Sequence, residues 1–142
     1  MRFTRTIEVP PPPEEAFAYL ADFSNTAEWD PGVAEARRLT EAPTRLGSAF
    51  EVIALFRGKR QRFEYVVTEF EEGRRVAVHA EGEKAVSDDV VTVEPSGGGS
   101  RVTYEAVSKL KGIYRLAEPV VAIVFKRMGN EALDGLERTL DT

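Results

Sequence analysis

From Val33 to Lys109 the chain reads as strand after strand, with no room between them for a helix. The segments Val33 to Thr40, Ser48 to Phe56, Arg60 to Phe70, Arg74 to Ala80, Ala85 to Glu94 and Arg101 to Lys109 are rich in β-branched and aromatic residues. Short runs of turn residues divide them: Pro43 to Gly47, then Gly58, Gly73, Gly82 and the triplet Gly97 to Gly99. A parallel pair needs a crossover of about a dozen residues or more, so connections this short make consecutive strands pair as antiparallel hairpins.

What flanks the meander completes the architecture. "RFTRTIEV" alternates, with Phe3, Ile7 and Val9 on one side, and predicts a first strand ending at Pro10 to Pro13. "PEEAFAYLADF" has a helical period: Pro13 suits the first turn, Glu14 and Glu15 complement the positive helix end, and Ala16, Phe17, Tyr19, Leu20 and Phe23 form a stripe. Ser24 or Asn25 then caps a second short helix ending near Trp29 and Asp30, where Pro31 and Gly32 stop it. From Gly112 the apolar residues Ala117, Val121, Val124, Phe125, Met128, Ala132, Leu136 and Leu140 recur three or four apart, which predicts a long amphipathic helix. Pro119 implies a kink or a true helix start near it. The first half, Ile113 to Phe125, is apolar on nearly every side and so is expected to meet more than the sheet alone.

A chain of 142 residues is expected to form one domain, residues 1–142. Its 19 basic and 24 acidic side chains, net charge −5, disfavour nucleic acid or an anionic membrane surface as the main partner. The absence of cysteine excludes disulfides, thiolate metal sites and cysteine nucleophiles, and permits a reducing compartment. The opening segment lacks the apolar run of a signal peptide, and "VVAIVF" at Val120 to Phe125 is too short to cross a bilayer. A cytoplasmic protein without membrane insertion is the expectation.

This order of elements, an α+β arrangement, resembles the SRPBCC superfamily, also called START-like or birch-pollen-allergen-like, and most closely its polyketide cyclase/dehydrase branch. The resemblance spans the chain and rests on "IEVPPPPEEAFAYLADFSNTAEWDPGV", on Gly47 and Phe50 at a hairpin start, on "EYVVTEFEEGRRV", "GGGSRVTYEA" and "EALDGLERTL". It implies a helix-grip fold, a curved antiparallel sheet of six to seven strands wrapped around the C-terminal helix, with a cavity for a hydrophobic ligand between them.

Trp29, the only tryptophan, lies in "FSNTAEWDPGV", a segment of turn composition. So large an apolar side chain either plugs the core or walls a pocket at the end of the sheet. Because alternate residues of a strand share a face, parity assigns concave positions along each strand. Phe50, Val52, Phe56, Phe63, Tyr65, Val78, Val91 and Tyr104 are the strand residues expected to touch a ligand, with Val121, Phe125 and Met128 from the helix and Trp29 at the end. Simple core filling is the competing role for each. The opposite parity, Ile53 and Leu55 with Val66 and Phe70, is more apolar than a wet face requires, and either self-association or ordinary scatter accounts for it.

Candidates for catalysis are few. His79 shares a strand face with Ala77 and Glu81 and reads as a convex-surface histidine. With one histidine and no cysteine, neither a transition-metal site nor another cofactor is expected. Asp88 and Asp89 point to opposite faces and cannot pair as acid and base. Asp89 is the best acid or base if it faces inward, where desolvation would raise its pKa; a solvated strand end is the simpler placement. Gly97 to Gly99 precede a strand and lack a following lysine-serine/threonine pair, so they are not a phosphate loop. These observations favour a carrier or sensor of a small lipid-, polyketide- or aromatic-like molecule over a cyclase or dehydratase acting in the same cavity, with a partner-binding module as a third reading. A monomer or weak homodimer is expected.

Overall fold

Phe3, Ile7 and Val9 are the buried alternate residues of β1 (Arg2–Val9), while Thr4, Thr6 and Glu8 face water. The computed structural model describes residues 1–141; Thr142, the last residue of the expected domain, lies outside the described residues. After the prolines, α1 (Pro13–Ala21) starts on Pro13 with Glu14 and Glu15 in its first turn and buries Ala16, Phe17, Leu20 and Ala21. The Asp22 carboxylate accepts from the Ser24 backbone N–H at 3.1 Å and so opens a short 3-10 turn, Phe23–Asn25, which leads into α2 (Thr26–Trp29).

Six strands follow: β2 (Val33–Arg38), β3 (Ala49–Phe56), β4 (Lys59–Glu71), β5 (Arg75–Gly82), β6 (Ala85–Ser96) and β7 (Gly99–Leu110). All neighbours pair antiparallel in one curled sheet, in the order β1-β7-β6-β5-β4-β3-β2, the seven-stranded helix-grip architecture. The β3–β4 hairpin turns through Arg57 and Gly58 at φ 52° and 81°, the pair of positive angles that a two-residue turn matched to strand twist demands.

The C-terminal segment opens with a 3-10 turn, Gly112–Ala117, and continues as α3 (Glu118–Thr139). The helix starts beside Pro119, which lies in the first turn where its missing N–H breaks no hydrogen bond. The last half of α3 buries Ala132, Leu133, Gly135 and Leu136 against β1 and α2. Among the described residues, the outer side of the first half is not covered by a further element. One side faces the sheet across open space, while Val120 and Ile123, with Ile113 and Leu116 before them, are exposed.

Strict parity fails in β4, apart from a register shift between Val33 and Glu35 in β2. A β-bulge between Val67 and Glu69 adds Thr68 to β4 without a partner on β5. The side chains after it change face, so Phe70 is not on the convex side with Ile53, Leu55 and Val66. It packs against Phe17 of α1 with ring centroids 5.6 Å apart.

Candidate ligand-binding cavity

Each long strand has two halves on the concave face. Over one half lie α1 and the 23–29 segment, and here the interior is filled: Phe17, Leu20 and Phe23 join Val76, Val91, Val93 and Val102 in the core. Over the other half stand the 3-10 turn at 112–117 and the sparsely packed beginning of α3. The result is a cavity of about 640 Å³, within the roughly 300–1,000 Å³ range of small-molecule sites.

Its walls come from the ends of strands that meet at the β3–β4 and β5–β6 hairpins. Ala54, Phe56, Phe63, Ala80, Ala85, Val86 and Ala106 supply the sheet side, and Val121, Phe125, Met128 and Leu133 the helix side. Arg57, Lys59, Arg62, Glu83 and Lys84 line its charged part, with the Lys84 Nζ 5.3 Å from the centre of the Tyr114 ring.

Trp29 has both of the roles its composition suggested. It is a buried member of the core and also lines the cavity, its ring edge-on to Tyr104 with centroids 6.3 Å apart. Phe56, Phe63, Tyr65, Tyr104, Val121, Phe125 and Met128 line the same space. Phe50, Val52, Val78 and Val91 do not. They have the right parity but are fully buried: Phe50, Val78 and Val91 belong to the core cluster, where Phe50 packs against Phe23 with centroids 5.6 Å apart, and Val52 is buried beside Phe63 of β4. Parity selects a face and says nothing about position along the strand.

Asp89 faces inward; the simpler expectation of a solvated strand end is overturned, because it lies between Val78 of β5 and Ala106 of β7 on the concave face and lines the cavity. Its Oδ2 accepts from the Tyr104 hydroxyl and its Oδ1 from the Ser87 hydroxyl, both at 2.6 Å. The Ser108 hydroxyl in turn donates to Ser87 Oγ at 2.8 Å. Burial pushes the Asp89 carboxyl above its ordinary range, opposed by these hydrogen bonds and reinforced by Asp88.

Sequence reading misses a second carboxyl on this cavity, Asp30, because Asp-Pro-Gly reads there only as a helix stop. The Asp30 Oδ1 accepts from the Gly32 backbone N–H at 2.8 Å, a local turn that fixes the side chain against the cavity. Burial raises its pKa from 3.8 to about 6; the Gly32 N–H lowers it, and the charges of Glu131 and Asp89 add to the rise. The Tyr65 hydroxyl lies in the same region without a hydrogen-bond partner among the described residues, its pKa raised by burial and then by Asp89 and Asp30.

His79 is remote from this chemistry. On the convex face its Nδ1 lies 2.8 Å from Asp88 Oδ1 and its Nε2 3.1 Å from Glu81 Oε1, while Lys111 also pairs with Glu81. Among the described residues, no cluster of three or more His, Asp or Glu side chains is placed to hold a metal ion, and no helix is long and apolar enough to cross a membrane.

The family profile described as "Polyketide cyclase / dehydrase and lipid transport" matches residues 1–141. The chain belongs to this family. No curated protein sequence matches it. Solved structures similar to this polyketide cyclase/dehydrase family member include a protein of Thermus thermophilus, at 19% identity and TM-score 0.82, over 99% of this chain and 97% of the other. A START superfamily protein from Mycobacterium smegmatis matches at 17% identity and TM-score 0.76, over 99% and 94%. The Zhui aromatase/cyclase from Streptomyces sp. R1128 matches at 13% identity and TM-score 0.76, over 99% and 93%. Identities this low establish the shared helix-grip fold, and chemistry has to be argued from this chain's own residues.

Proposed function

We propose that the protein binds a small, largely apolar molecule between the sheet and the first half of α3. The supporting observation is the cavity of about 640 Å³, walled by Trp29, Phe56, Phe63, Phe125 and Met128 and carrying a small polar cluster at Asp30, Tyr65, Asp89 and Tyr104. An apolar wall supplies affinity by removing ligand surface from water, and a few convergent polar groups orient the ligand. The reading takes residues 1–142 as one binding domain that works in the cytoplasm as a monomer or weak homodimer. Native mass spectrometry of gently purified protein tests it: a small molecule should co-purify and leave on mild activation. A protein that arrives empty and binds nothing from a broad apolar panel would refute the reading.

A second reading, a cyclase or dehydratase acting on a molecule held in the same place, draws support from one feature. Asp30 and Asp89 are carboxyls of raised pKa facing one space, the arrangement that moves protons near neutral pH. Replacing Asp89 by Asn separates the two readings. An enzyme would lose turnover while keeping its ligand, and a carrier would show no turnover in either form.

A further inference from the structure

The hydrogen-bond chain in the cavity runs in one direction. Ser108 donates to Ser87, Ser87 donates to Asp89, and Tyr104 donates to Asp89 from the other side. Each of these hydroxyls carries a single proton, and each proton is committed within the protein. What remains open to a ligand is a set of lone pairs: those of the Asp89 carboxylate, of the Tyr104, Ser87 and Ser108 oxygens, and of the Asp30 Oδ2, which has no partner among the described residues. Among the described side chains of this cluster, the Tyr65 hydroxyl has an uncommitted proton; the Met1 ammonium, which also lines the cavity, donates to the Ser108 carbonyl at 2.7 Å.

We infer that this polar cluster selects the end group of the ligand, accepting an apolar molecule that carries a hydroxyl or ammonium donor and rejecting one that carries a carboxylate. This rests on the reading of the cavity as a ligand site. A donor entering between Asp30 and Asp89 finds acceptors on both sides. A carboxylate in the same place meets these lone pairs and the charge of Asp30, which already feels Glu131; among the described side chains of the cluster, Tyr65 is the donor left to meet it. A buried acceptor left facing another acceptor loses its water without replacement, so the mismatch weakens binding more than the match strengthens it. The positive side chains that line the cavity, Arg57, Lys59, Arg62 and Lys84, come from the β3–β4 and β5–β6 hairpins and the strand ends beside them. Lys84 precedes Ser87 by three residues, but among the described residues none of these cations hydrogen-bonds to Asp30, Ser87, Asp89 or Tyr104.

The experiment uses three probes of one shape, 2-naphthol, 2-naphthylmethylamine and 2-naphthoate, titrated into the intact protein at about pH 8 with calorimetric detection. The alcohol and the amine should bind at least about tenfold more tightly than the carboxylate. Asp30→Asn, which keeps an oxygen for the Gly32 N–H while supplying an amide donor, should shrink that ratio by strengthening naphthoate binding. Equal binding of all three probes, or tighter binding of naphthoate, would overturn the proposal and leave the cavity standing as a ligand site. Binding by none of them would overturn the cavity reading itself and this proposal with it. The comparison on the unaltered protein decides the question even if Asp30→Asn does not fold.

Discussion

Gly135 of α3 lies directly against the backbone carbonyl of Trp29: a Cβ built on this glycine falls 2.0 Å from that oxygen. The contact lets α2 and the second half of α3 approach backbone to backbone, and it sets where Trp29 stands at the end of the cavity.

Gly135→Ala is therefore expected to reverse the usual sign. In an exposed helix interior, alanine for glycine stabilises by roughly 0.5–1 kcal/mol. Here the methyl meets main chain that cannot rotate away, so we expect a loss of roughly 1–3 kcal/mol and a changed near-ultraviolet signal from Trp29. Thermal denaturation followed by circular dichroism measures both. A rise in melting temperature would show that the helices separate freely.

Asp30 is expected to make stability fall as pH rises. Its folded pKa of about 6 lies above the ordinary 3.8, so the folded state holds the proton more tightly. Below the ordinary value both states are protonated and the group is neutral in effect. Between the two values the unfolded chain releases its proton first, and above about pH 6 the full deficit, roughly 3 kcal/mol, is present. Asp30→Asn should raise the melting temperature at about pH 8 and change it little at about pH 4. An equal shift at both pH values would assign the effect to something other than titration.

His79 should also make stability fall with rising pH, but weakly and for the opposite reason, a favourable charged form. Hydrogen bonds to Asp88 and then to Glu81 raise its pKa. Its stabilisation is present below the unfolded value of about 6.5 and is lost as pH rises through the higher folded value. The side chain is 38% exposed, so solvent screening keeps the effect small. His79→Gln should leave binding to the cavity unchanged in a Trp29 fluorescence titration.

Phe50 and Phe125 should separate core from cavity. Phe50 is fully buried against Phe23, and Phe50→Ala should cost about 3–5 kcal/mol in denaturant unfolding, with probe affinity unchanged where the variant stays folded. Phe125 is half-buried on the cavity wall, so Phe125→Ala should cost less stability and weaken binding of a neutral apolar dye. Comparable loss of stability with no loss of binding at Phe125 would remove this side chain from the site.

Hairpin order, the antiparallel sheet and the C-terminal helix were legible from Val33 onward because they depend on local chemistry: strand period two, turn glycines, helix period near 3.6 and a proline at a helix start. The concave faces were legible as well, since parity is a property of a single strand. Which stretch of a face is filled was not, because that depends on where α1 and α3 lie across the sheet; Phe50, Val78 and Val91 are core for that reason. The extra residue at Thr68 transferred Phe70 to the other face, and a bulge leaves no mark in the alternation before it. Asp30 and Asp89 converge on one cavity from segments far apart in the sequence, joined by no period or motif. Chain-local preferences decided the elements, and only the folded packing, which desolvates both carboxyls together, decided the chemistry of the site.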